Sequence, residues 1–126
     1  METLNFVART IYADQNKEDK YYMLGLADDP LDYRNYIITQ RAFKYDTADI
    51  EQGVGTCYFE VNGQENSAYN CVEKIYLSSN QLVFEINNQK IKGLVKVVID
   101  ISQVERTQVF DKYLSIIFEG ITIFKE

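Results

Sequence analysis

The 126-residue sequence has no histidine and no tryptophan, one proline and two cysteines. Without histidine there is no Ser-His or Cys-His nucleophile pair, no imidazole acid-base chemistry and no His-ligated metal site. Two cysteines, Cys57 and Cys71, cannot form a four-thiolate zinc site and are too few for a disulfide scaffold. Their spacing suits a bridge across a hairpin or a pair of reduced core thiols, and we read them as reduced. The N-terminal METLNFVARTIY lacks the positive start and cleavage site of a secretory signal, and no stretch approaches the ~18 apolar residues of a membrane span. A cytoplasmic protein that engages no membrane is expected.

Basic charge is also in short supply. Thirteen Lys and Arg stand against nineteen Asp and Glu, for a net charge of −6. Direct nucleic-acid binding is disfavoured, because phosphate neutralisation needs clustered cations. The imbalance lies mainly in residues 1–60, so a basic partner docking on that half is the natural complement.

What the chain does have is β-forming side chains: Ile, Val, Tyr, Phe and Thr make up more than a third of it. Strands are expected over Phe6 to Tyr12, Tyr21 to Ala27, NYIITQRAF and CYFEV, the last closing on the hairpin signal Asn62-Gly63. Val72 to Ile86 reads as a two-stranded unit about SSNQ, and Val95, Val97, Ile99 and Ile101 alternate as a half-exposed strand. Pro30 ends the second strand, YDTADIEQGVG is a long connection with one helical turn, and ITIF is a last strand. Ser102 and Glu105 have the spacing of a capping box, and Phe110, Tyr113, Leu114, Ile117 and Phe118 keep one helical face, so a helix is expected from about 102 to about 119. The fold class is α+β, mostly β: one domain, 1–126, with an antiparallel sheet of about six to eight strands and one C-terminal helix packed on it.

Carboxylates are the only abundant catalytic groups. Asp28, Asp29 and Asp32 cluster at the proline turn, and Asp46, Asp49 and Glu51 lie in the glycine-broken connection. A carboxyl pair can do general acid-base work when an apolar setting raises one pKa, which leaves a carboxylate-dependent hydrolase or a small-molecule-binding β domain as the alternative reading. The Asp46 to Gly53 run fails calcium-loop spacing, no glycine pattern forms a phosphate loop, and Lys90, Lys92 and Lys96 read as a charged edge. No metal or cofactor is expected. Tyr33, Tyr36, Tyr45, Tyr58 and Tyr69, with Arg34 and Arg41, are the residue types that dominate interface energetics. The two acidic groups are expected to form one exposed docking patch.

The central run from Ala27 to Asn70 resembles the immunity protein 10 family of bacterial polymorphic toxin systems. The likeness rests on Ala27-Asp28-Asp29 ending a strand, then Tyr36, Ile37, Gln40 and Arg41, spaced aspartates at Asp46 and Asp49, and Gly53, Thr56, Tyr58, Glu60, Gln64 and Tyr69. The family's S-G-Y-G-G turn is here Ser67-Ala68-Tyr69-Asn70-Cys71. The resemblance implies a non-enzymatic, intracellular, mostly β protein that binds and blocks a cognate toxin. A basic toxin, a nuclease above all, would suit the acidic charge. The candidate contact residues are Asp28, Asp29, Asp32, Tyr36, Gln40, Arg41, Asp46, Asp49, Glu51, Tyr58 and Tyr69.

Overall fold

The computed structural model describes residues 2–126. Its strands are β1 (Glu2–Val7), β2 (Thr10–Asn16), β3 (Tyr21–Ala27), β4 (Tyr36–Ala42), β5 (Tyr58–Val61), β6 (Ser67–Tyr69), β7 (Val72–Leu77), β8 (Gln81–Ile86), β9 (Leu94–Asp100) and β10 (Ile123–Lys125). Two helices join them, α1 (Thr47–Glu51) and α2 (Gln108–Ile117). The strands form two five-stranded sheets, β1-β9-β8-β7-β10 and β2-β3-β4-β5-β6, rather than one antiparallel sheet. The second sheet is an antiparallel meander. The first is mixed, because β1 runs parallel to β9 and β10 parallel to β7.

The expected first strand, Phe6 to Tyr12, is in fact a corner between the sheets. The Ala8 amide still donates to Asp100 at the end of β9 (2.9 Å), while the Arg9 amide donates to Ala27 at the end of β3 (2.8 Å). The two-residue switch lets one apolar run serve both layers, with Phe6 and Ala8 both buried. The sheets pack face to face over one core, in which Phe59 of β5 meets Phe84 of β8 at 5.2 Å between rings. Cys57 and Cys71 lie in this core as free thiols; burial pushes Cys57 up and Cys71 to about 12.

The capping box at Ser102 and Glu105 does not form. The Asp100 carboxylate captures both the amide (2.8 Å) and the hydroxyl (2.6 Å) of Ser102, which makes a turn directly after β9. Helix α2 starts later, with Thr107 as N-cap accepting from the Phe110 amide at 3.2 Å. Its face Phe110, Tyr113, Leu114 and Ile117 is buried as the periodicity predicts. It packs against β2, β3 and β4, and at its end Phe118 reaches Phe84. This helix sits on the inner side of the second sheet, where Tyr113 meets the ring of Tyr22 at 5.4 Å, while the connection carrying Asp29, Pro30 and Tyr33 borders part of the outer side.

Candidate functional site

Side chains alternate across a strand, so the buried Leu24, Leu26, Ile37, Thr39, Phe59 and Val61 define the inner face of the β2–β6 sheet. Their neighbours define its outer face. The register places Tyr12, Gly25, Ile38, Glu60 and Ser67 in one row across the five strands, and Asp14, Met23, Gln40, Tyr58 and Tyr69 in the next. Tyr36 and Tyr21 extend this face at its two ends. Tyr12 and Tyr69 are exposed at 51% and 40%.

Gly25 lies mid-row with no side chain, and an added Cβ would meet only ordinary contacts, the nearest being the Ile37 carbonyl at 3.6 Å. The missing side chain leaves a depression of about 300 Å³ walled by Tyr12, Met23, Ile38, Tyr33 and Tyr36. A second depression of about 280 Å³ is lined by Gln40, Tyr45, Asp49, Thr56, Tyr58 and Tyr69. The Thr56 hydroxyl there is buried without a hydrogen-bond partner among the described residues.

Between these depressions sits Glu60, only 8% exposed. Tyr36 donates its phenol to one carboxylate oxygen and Tyr58 to the other, each at 2.6 Å. Burial, then the Glu60 hydrogen bond and charge, push the Tyr36 phenol up to about 12, and the same causes raise Tyr58. Tyr33 packs edge-on against Tyr36 at 5.1 Å and Tyr58 tilts against Tyr69 at 5.4 Å, so each phenol is braced by a second ring.

Tyr36, Gln40, Tyr58 and Tyr69 therefore come together on one face. The acidic groups do not join into one patch, because they lie at opposite ends of β4, which spans about 20 Å at ~3.3 Å per residue. Instead they bracket the tyrosine face: Asp29 lines the Gly25 depression and Asp49 the other. Most of these carboxylates also hold local structure. Asp28 accepts from the Arg34 and Asn35 amides and the Asn35 side chain, and Asp29 from the Leu31 and Asp32 amides. Burial alone would raise Asp28, but these bonds outweigh it; hydrogen bonding lowers Asp29 as well. Asp46 and Asp49 cap α1 reciprocally, while Asp32 and Glu51 are exposed at the two ends.

Arg41 projects toward the inner face. Its Nη1 donates to the Ile117 carbonyl at 3.3 Å and its guanidinium lies 5.2 Å from the centre of the Tyr45 ring. The residues that contact-type reasoning overlooked are Tyr12, Met23, Ile38 and Glu60. Period-two alternation could have found Glu60, since Phe59 and Val61 point inward and so Tyr58 and Glu60 must share the outward side.

The immunity protein 10 family model matches residues 7–108, from the end of β1 to the start of α2. The chain belongs to the immunity protein 10 family. Neither a curated protein nor a solved structure matches it. The match takes in every residue of the tyrosine face and both acidic ends. Asn70, just after β6, holds φ of 54°, a left-handed conformation that Asn tolerates better than most side chains.

Proposed function

We propose that this immunity protein 10 family member binds a cognate toxin in the cytoplasm and neutralises it without turnover of its own. It does so by seating the outer face of the β2–β6 sheet on the toxin. The observation that carries this reading is that outer face, with Tyr12, Tyr36, Tyr58 and Tyr69 together and an acidic group at each end. Rigid tyrosines supply large contact area at little conformational cost, and the carboxylates favour a basic toxin, a nuclease above all, by speeding encounter.

The carboxylate-dependent hydrolase fits the geometry less well. A general acid at neutral pH needs a raised carboxyl, whereas Asp28 and Asp29 are both lowered by backbone amides. The test is co-expression with any toxin domain found encoded beside the gene. Restored growth and a co-purifying complex are expected. Growth arrest despite soluble expression of the chain, with no complex, would overturn the proposal.

A further inference from the structure

We propose that Glu60, held between the phenols of Tyr36 and Tyr58, receives one arginine or lysine side chain of the toxin and is the central anchor of the interface. This rests on the neutralising role proposed above.

The two ion pairs among the described residues are Arg41 with Glu119 and Arg106 with Asp111, so Glu60 has no cation of its own. It is nonetheless nine-tenths buried. A carboxylate withdrawn from water costs stability unless it is hydrogen-bonded and paired, and Glu60 is hydrogen-bonded but unpaired. Each of its oxygens accepts one phenol proton, which leaves further lone pairs unfilled. Both donors are neutral phenols and bring no positive charge to the carboxylate.

The surroundings suit a cation specifically. Tyr36 and Tyr58 flank Glu60 on the same face, one on the neighbouring strand and one two residues earlier on its own. With Tyr33 and Tyr69 behind them they form two aromatic walls about a carboxylate. Aromatic surroundings of this kind keep the local dielectric low once the rest of the interface excludes water, which strengthens the attraction between a carboxylate and an ammonium or guanidinium group. An anion would meet the charge of Glu60, and a neutral apolar side chain would leave it without a counter-ion. The outer acidic residues at the ends of the face steer a basic surface, and Glu60 at its middle fixes the register.

Glu60→Gln removes the charge while keeping size and an acceptor. Its binding to the toxin domain that the unaltered chain neutralises is compared with that of the unaltered chain, with the urea midpoint checked for both. Loss of one partner of a buried charged pair predicts affinity weaker by about 30-fold or more, mainly through faster dissociation. In a double-mutant cycle, one toxin Arg or Lys changed to Met should be coupled to Glu60 and to no outer carboxylate. Unchanged affinity of a folded Glu60→Gln variant, in a chain that still neutralises the toxin, would overturn the inference and leave the proposed function standing.

A second arm needs no toxin. Nuclear magnetic resonance titration with Nα-acetyl-arginine amide and Nα-acetyl-lysine amide should shift the amides of Tyr36, Tyr58, Glu60 and Tyr69, and the neutral citrulline analogue should not. The stronger of the two shifts names the side chain. Equal response to citrulline, or no localised response to either cation, counts against a cation site. Localised shifts in a chain that neutralises no toxin would uphold the site and reject the function.

Discussion

Arg41 of β4 donates to the carbonyl of Ile117 at 3.3 Å, which ties the meander to the last turn of α2. The helix ends with unsatisfied carbonyls and a partial negative charge, and no basic residue of its own lies in its last turn. Arg41 supplies that cation from another element. Arg41→Met should therefore destabilise the fold by about 1–2 kcal/mol in a urea melt. A change in toxin dissociation with no loss of stability would show instead that Arg41 acts at the interface.

Helix α2 is the keystone of one end of the core, and Leu114 is 1% exposed within it. Leu114→Ala should cost about 2–5 kcal/mol, because truncation leaves a cavity among packed neighbours. A loss below about half a kcal/mol in the same melt would mean that the helix is peripheral to stability.

The start of α2 gives a sharper comparison. Thr107→Ala removes the hydroxyl that caps Phe110 and should cost about 0.5–2 kcal/mol. Ser102→Ala lies outside the helix and should cost clearly less. The reverse order would restore the earlier helix start.

That contrast shows where sequence reasoning reaches and where it stops. The β4 and β5 strands, the α1 turn, the Val72 to Ile86 hairpin and the apolar face of α2 were legible because their signals are local: period, turn residues, caps. Ser102 misled because the competing carboxylate, Asp100, is also local and closer, and a spacing rule cannot rank the two. The parallel pairing of β1 with β9 leaves no turn to read, since the partners are far apart in sequence. For the same reason the corner at Ala8 and Arg9 looked like one strand. At the site, residue type points to Tyr36, Tyr58 and Tyr69 and the family resemblance to Gln40, and register brings the four together. The single acidic patch failed because β4 separates its halves, a length that only the strand register reveals.

The phenols around Glu60 give a pH test. Tyr36 is raised from the ordinary 10.0 to about 12 in the folded chain. A folded pKa above the unfolded one means that the contribution is fully present below pH ~10 and is lost as pH rises through the folded value. Urea melts across this alkaline window should show stability falling, less so for Tyr36→Phe. Ultraviolet titration should find late-ionising tyrosines, and ionisation of every tyrosine near pH ~10 in the folded chain would contradict the Glu60 geometry.

In the proposed complex the outer face of the β2–β6 sheet holds the toxin. That placement is tested most directly by the rate at which the toxin domain leaves two double variants, Tyr12→Ala/Tyr69→Ala on that face and Tyr76→Ala/Phe124→Ala on the outer face of the other sheet, where those rings stack at 5.1 Å. All four side chains are exposed, so both variants should fold. Dissociation should be faster by about tenfold or more for the first pair and unchanged for the second. Unchanged dissociation for the first pair with faster dissociation for the second would contradict it and move the interface to the opposite side of the molecule.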